Sequence, residues 1–474
     1  MAVQDDLVFL SATEQGALLR ARKLSPVELT DAYLARIESL NPRLNAFITV
    51  TADRARREAR EAEQAIGRGD YRGPLHGVPY APKDILATRG IRTTNGSKVT
   101  ADRVANEEST ITERLGRAGA VLAGKLNLLE FAMGSGVVSG FGPARNPWDA
   151  TRTPSGSSSG SGTALAANLV PLSIGTDTGG SIRGPAAFCG IVGLKQTYGR
   201  VSRFGVTTLA WSLDHAGPMT RSVADAAAML QVIAGADPRD PTSVADPVPD
   251  YGQALRRDLK GVRVGVPTRH FTEDAHPDVE RAYRTALDVM RQLGASFVDV
   301  DVAHANYATS AGWIVAMAEA AQFHEKRLRE SPELFDPVVR ERLDAARFYA
   351  ATDYIKALRV RTLLMDEMAD VLARCDVMVV PGNTNLPGVL EPPAVAATDV
   401  KPGSKSTPFR AGNTFLGNMT GLPALVLPCG FSAGTPALPI GLQIYGRAFD
   451  EATVLGVGHA YEQATDWHKR RAPV

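Results

Sequence analysis

Leu169-Val-Pro-Leu-Ser-Ile-Gly-Thr-Asp-Thr-Gly-Gly-Ser-Ile-Arg-Gly184 carries the strongest fold signal in this chain. Leu169 to Ile174 is a short apolar run of the kind that forms a buried strand. Gly175 to Gly180 has the composition of a turn, and the residues after Ser181, through Pro185-Ala-Ala-Phe-Cys189, can begin a helix. A strand, a glycine turn and a helix start bring several backbone N–H groups around one small concavity. Such donors suit a phosphate or the oxyanion of acyl transfer. Two readings of Ser181 stand here: a nucleophile at the end of the turn, or an N-cap in a bend that simply needs glycine.

Outward from this stretch, residues 73–235 alternate short apolar runs with Gly, Ser and Thr clusters, the texture of an α/β protein whose loops carry chemistry. Before it, residues 25–40 and 52–66 read as helices of a lead-in spanning 1–67. Ser25 is placed as an N-cap with Glu28 completing a capping box, and Pro42 as the stop. After it, Val262–Val266 and Phe297–Val302 read as strands around a helix near 277–293, and 310–373 is largely helical. Asp376–Val380, Leu422–Pro428 and Pro439–Tyr445 read as strands, 385–410 as Pro-rich and irregular, and 450–464 as a last helix. The expected architecture is one domain over 1–474. It has a catalytic core at 73–235, a variable, mostly helical substrate-side region at 240–375, and the rest of the core at 376–474.

Lys plus Arg (52) and Asp plus Glu (51) nearly cancel, so nothing in the charge points to nucleic acid or an anionic membrane. The N-terminus lacks the basic and apolar regions of a signal peptide, no apolar run reaches membrane-span length, and Cys189, Cys375 and Cys429 suit neither a disulfide framework nor a zinc site. A cytoplasmic protein is expected. No His, Cys or carboxylate set has metal-ligand spacing, so no metal or cofactor is implied.

Three patterns mislead. Gly119-Ala-Val-Leu-Ala-Gly124-Lys125 resembles a phosphate-binding loop, but Leu126 stands where Ser or Thr is required, so a helix end turning into a strand is expected. Gly156 to Gly160 is a G-x-S-x-G pattern centred on Ser158, but a polar loop ending in Pro154 precedes it instead of a strand. The same Ser155–Gly162 segment has linker composition, yet a helix-compatible run follows at once.

A serine nucleophile needs a base. His76 and His215 lie in turn-like segments with no pattern linking them to Ser181. Lys83, in Val78-Pro-Tyr-Ala-Pro-Lys-Asp-Ile-Leu86, is one cation in a rather apolar run. It is either a surface lysine or, if buried, a neutral amine.

Gly73-Pro-Leu-His-Gly-Val-Pro79, Lys83-Asp84, the serine-rich loop and the Gly175–Arg183 cluster together resemble the amidase signature family. The likeness continues through Gly190–Ser202, Gly217–Asp225, Thr414–Ala424 and Leu438–Ile444. The resemblance implies a central mixed β-sheet flanked by helices on both faces. It also implies a Ser–cis-Ser–Lys triad of Lys83, Ser157 and Ser181, with Ser157 lying 24 residues before the nucleophile. Thr178, Gly179 and Gly180 would form the oxyanion hole, with Ser158, Asp177 and Arg183 in support. The acyl pocket would lie near Phe131, Met133 and Ser135, whereas Trp313, Met317, Phe348 and Tyr349 are expected in the core more than in the pocket. The implied activity is hydrolysis of a small amide, ester or carbamate, a carbon–nitrogen bond other than a peptide bond, with a homodimer as a possible assembly. Two alternatives stand beside it. One is the glutaminase-type A subunit of a tRNA-dependent amidotransferase, which needs an acidic residue just before the C-terminal Asn-x-x-Gly motif. Pro408 to Asn418 contains none. The other is a catalytically silent binding protein.

Overall fold

The computed structural model describes residues 7–133, 137–390 and 413–474. The lead-in holds α1 (Ala12–Arg20), α2 (Pro26–Leu44), β1 (Phe47–Val50) and α3 (Ala52–Gly67). Ser25 caps α2, accepting from the N–H groups of Val27 and Glu28, but the reciprocal capping box is in α1, between Ser11 and Glu14. Pro42 does not stop α2. It forgoes one N–H bond in the last turn, yet the helix runs on to Leu44 and ends where Asn45 turns left-handed at φ 51°.

The core follows with β2 (Pro79–Pro82), α4 (Thr110–Arg117), β3 (Val121–Leu122), β4 (Gly124–Leu126) and α5 (Ser159–Ala166). It continues with β5 (Leu172–Asp177), α6 (Arg183–Cys189), β6 (Val192–Lys195), β7 (His215–Thr220) and α7 (Val223–Ile233). Residues 240–375 hold β8 (Arg263–Pro267), α8 (Pro277–Gln292), β9 (Ser296–Val300), α9 (Tyr307–Glu330), α10 (Pro337–Ala346) and α11 (Ala351–Arg374). The chain returns through β10 (Val377–Pro381), α12 (Phe415–Thr420), β11 (Ala424–Phe431), β12 (Pro439–Tyr445) and α13 (Glu451–Gln463). The irregular stretch expected at 385–410 lies mostly outside the described residues.

Ten strands form one mixed sheet in the order β3-β2-β5-β7-β6-β11-β12-β10-β8-β9. Its two ends are parallel, β3-β2-β5 and β10-β8-β9, and the strands between run antiparallel. Every residue of β5, β7, β10 and β12 is buried. Burial of all side chains on both faces of those strands requires cover from helices on both sides, which explains why β10 reads as a continuous apolar run rather than an alternating one. Among the described residues no helix is long and apolar enough to cross a membrane.

Candidate active site

β5 delivers the chain, fully buried, into the turn Thr178–Gly180, and α6 begins at Arg183 just past Ser181. Close approach from α12 makes the glycines necessary. A Cβ on Gly179 would sit 2.5 Å from the Phe415 ring, and one on Gly180, at φ 128°, would sit 2.4 Å from Thr414 Oγ1. Asp177 organises the turn from below. Its carboxylate accepts from the N–H groups of Gly180 (2.7 Å) and Ile182 (3.1 Å), from Arg183 Nε (3.0 Å) and Nη2 (3.0 Å), and from Asn418 Nδ2 (2.9 Å). Burial alone would raise this carboxyl, but the Arg183 guanidinium outweighs it and holds Asp177 far below the usual carboxylate range. Gly180 N–H is thus committed to Asp177, while Gly179 and Ser181 N–H have no acceptor among the described residues. Asp177 and Arg183 lie where the resemblance puts supporting residues. Asn418, which also takes Arg183 Nη2 (2.7 Å), had no role assigned from sequence although it lies in a quoted motif.

Lys83 follows β2, which pairs in parallel with β5, and its N–H donates to Ile174 O (2.9 Å). That register aims the side chain along the sheet toward the turn. Lys83 Nζ is fully buried, 2.7 Å from Ser157 Oγ and 2.7 Å from Thr176 Oγ1. Burial drives its pKa down to about 7, against the upward pull of the Asp177 and Asp214 carboxylates. This is the buried alternative of the sequence reading, not the surface lysine. Thr176 is the partner that sequence reasoning missed. Ser158 reaches Lys83 only through it, exchanging hydrogen bonds with the Thr176 backbone (Ser158 Oγ to Thr176 O and Thr176 N–H to Ser158 Oγ, both 3.2 Å).

Ser157 enters from the loop before α5, across a cis Gly156–Ser157 peptide, and Leu129 N–H donates to its carbonyl (3.1 Å). Ser155 takes φ 67° in the same loop. Ser157 and Ser181 line one cavity, although their hydroxyls are not bonded to each other.

The misleading patterns resolve on geometry. Lys125 is buried against Asp84 (2.9 Å), and Gly119 abuts the His76 ring, so 119–125 is a packed helix-to-strand connection. Residues 159–166 form α5, entirely buried, so the Ser/Gly segment is no linker. His76 is buried and accepts from Arg72 N–H (3.1 Å). His215 Nδ1 lies 2.7 Å from Leu213 O, so it carries the proton and Nε2 accepts from Lys195 Nζ (3.2 Å). Neither histidine is hydrogen-bonded to Ser157 or Ser181.

The cavity encloses about 260 Å³ above Ser157 and Ser181. Ala132, Met133, Phe188 and Phe415 line it, together with Trp313, Ala316 and Met317 of α9. Trp313 and Met317 therefore belong to the pocket rather than to the core alone, because α9 turns one face toward the catalytic turn. Phe348 is 89% exposed, Tyr349 is half-buried, and neither lines the cavity. Met133 lies where the resemblance implies. Phe131 stands behind the wall with its ring against His324 and Phe335, and Ser135 lies outside the described residues. No charged side chain lines the cavity among the described residues. No group of three or more His, Cys, Asp or Glu among them could hold a metal.

The amidase family model matches residues 28–455. The A subunit of the glutamyl-tRNA(Gln) amidotransferase of Chloroflexus aurantiacus is 44% identical over 98% of this chain and 99% of its own. Among solved structures, the A subunit of the Thermotoga maritima glutamyl-tRNA(Gln) amidotransferase superposes with a TM-score of 0.78 at 31% identity, covering 96% of this chain and 95% of its own. A bacterial aryl acylamidase superposes with a TM-score of 0.87 at 26% identity, covering 97% and 98%.

Proposed function

Because the chain belongs to the amidase family, whose model and relatives span nearly its whole length, we propose that it cleaves a carboxamide C–N bond by acyl transfer to Ser181. Neutral Lys83 takes a proton from Ser157, which takes one from Ser181 as its Oγ attacks the carbonyl carbon. The link between the two serines closes with substrate bound, as catalytic hydrogen bonds commonly do. Gly179 and Ser181 N–H receive the developing oxyanion, each such donor being worth roughly 3 kcal/mol. The relay then returns a proton to the leaving nitrogen, and water, deprotonated along the same path, frees the acid and restores Ser181. The observation that carries this reading is a fully buried lysine within 2.7 Å of Ser157 Oγ, with its pKa lowered to about 7.

The lining of the cavity supports an uncharged, largely apolar acyl group, supplied as an alkyl or aryl amide and, by the same acylation, as an ester or carbamate. A second reading has the chain act as the glutamine-cleaving component of an amidotransferase that works with partner proteins. The names of its sequence relatives favour this reading over the first. A carboxylate-bearing substrate also has a cation within reach of the pocket wall. Arg342 lies over the Trp313 ring at 5.3 Å, and its Nη1 is buried with no hydrogen-bond partner among the described residues. Against it stands Pro408–Asn418, which offers no acid for an amino group. Both readings share every step to acyl-Ser181 and part at the acyl group.

Two measurements test this. A fluorophosphonate should form its adduct on the Ser181 peptide, and Ser181→Ala should abolish both adduct and turnover in a folded protein. An adduct on Ser158 overturns the assignment. A panel of anilides, aliphatic amides, carbamates, ureas and glutamine then separates the readings: apolar amides should be preferred, and turnover confined to glutamine replaces the first reading by the second.

A further inference from the structure

We infer that Glu130 is a positioning residue that sets the width of the acyl pocket, pinning the start of α10 to the loop that carries Ala132 and Met133. The inference rests on the acyl-enzyme reading of Ser181, in which this cavity takes the acyl group.

Glu130 is a buried carboxylate, 1% exposed, with no described cation in ion-pair range. Such a group is costly to bury and is retained only where donors satisfy it. It has two, from segments far apart in the chain. Ser97 Oγ donates to Oε1 (2.6 Å) and the Asp336 N–H donates to Oε2 (2.9 Å) across 206 residues of chain.

On one side Glu130 opens a turn in which Phe131 and Ala132 take φ 47° and 62°, left-handed values that a non-glycine residue holds only when its surroundings impose them. Met133 N–H closes that turn on Glu130 O (2.8 Å), and Phe131 N–H donates to Asn95 O (2.8 Å). Ala132 and Met133 are thereby presented to the cavity. The platform beneath is continuous with the catalytic lysine. Ser97 belongs to the loop anchored by Thr94, whose N–H and Oγ donate to Asp84, next to Lys83.

On the other side Asp336 caps α10, its Oδ1 accepting from Val338 N–H (2.9 Å). From α10, Arg342 lies over Trp313, which with Met317 lines the cavity from α9. Phe131 adds an apolar lock beside the polar pin, seated between His324 of α9 (4.4 Å between ring centres) and Phe335 (5.6 Å). One carboxylate therefore ties the catalytic core to the helical wall, and the gap between Met133 and Met317 is what it holds constant.

The test uses ethyl and octyl fluorophosphonate probes on the full-length protein, separating binding (KI) from inactivation (kinact) at Ser181. Four variants dissect the bond. Glu130→Ala removes the acceptor. Asp336→Pro removes the donor N–H at a residue whose φ of −58° proline adopts. Asp336→Ala removes the cap but keeps the N–H, and Glu130→Gln keeps an acceptor oxygen. In Glu130→Ala and Asp336→Pro, KI for the octyl probe should rise about tenfold relative to the ethyl probe, the worth of one hydrogen bond to a charged group, with kinact for the ethyl probe retained. Glu130→Gln and Asp336→Ala should keep the wild-type ratio. An adduct on Ser181 with an unchanged ratio in Glu130→Ala, or an equal shift in Asp336→Ala and Asp336→Pro, overturns this inference alone. Absence of the Ser181 adduct in the wild-type protein overturns the acyl-enzyme reading and this inference with it.

Discussion

The pH dependence of acylation should report Lys83 directly. An unperturbed lysine with a pKa of 10.5 would be neutral in only about 3 of 10,000 molecules at pH 7, whereas one at about 7 is neutral in half of them. Burial therefore enlarges the supply of competent base by roughly three orders of magnitude. The sign follows from which form acts. The neutral amine is the base, so the rate should climb as pH rises through the folded pKa and level off above it. Between about pH 5 and pH 7 the neutral fraction grows from about 1% to about 50%, so the acylation rate should increase roughly fiftyfold and then at most double. Stopped-flow measurement of a chromogenic ester or of fluorophosphonate inactivation gives this profile. Burial also pushes the Glu130 carboxyl up to about 7, so the same profile in Glu130→Gln assigns the ionisation; it should keep its midpoint. Lys83→Met should lose the acid limb and nearly all amide turnover. Esters should suffer less, because an alkoxide leaves with less help from a proton. A flat profile, a midpoint near 10, or a Lys83→Met variant with the wild-type limb would refute the assignment.

Thr176→Val removes an acceptor that supports the charged amine of Lys83 more than the neutral one, so the acid limb should move to lower pH while turnover falls about tenfold; a limb that moves upward contradicts the role given to Thr176. Asp177→Asn leaves Arg183 buried without its counter-charge, and denaturant titration should show a loss of about 3–5 kcal/mol in stability, together with loss of Ser181 labelling. A stable, fully reactive Asp177→Asn protein would mean that the turn does not depend on this carboxylate.

Where order along the chain dictates structure, the sequence is legible. The run from Leu169 to Arg183 is a strand, a turn and a helix start because a few adjacent residues decide each step. The helix expected at 277–293 and the strand at 439–445 fall within a residue of the observed α8 and β12. Pro42 misleads because a proline in a last turn loses a single bond, while the left-handed Asn45 ends the helix. The proposed triad was legible only as a family pattern. From its own segment Lys83 is ambiguous, since burial is set by β5 and the serine loop far away in sequence. Thr176, Asp214 and Asn418 leave no local signal for the same reason: each acts through a partner brought close by the sheet. Asp214, for example, takes a hydrogen bond from Thr178 Oγ1 (2.5 Å) and so braces the turn from the β7 side. The pocket walls at Trp313 and Met317 are hidden by helical periodicity, which marks an apolar face but not whether that face meets core or cavity.

The strand order has a consequence for how such a chain can change over evolutionary time. Helices α9–α11 leave the sheet after β9 and return to it at β10, with only β8 between those two strands. Because β9 and β10 both run parallel to β8, the excursion is a crossover from one end of the sheet to the other, and lengthening or replacing its helices alters loop closure only slowly with length. Lys83, Ser157 and Ser181 all precede this excursion in the chain. In the proposed reaction, the half holding these three residues stays fixed while the half that supplies Trp313 and Met317 is exchanged, which would give one acyl-transfer apparatus access to many acyl groups.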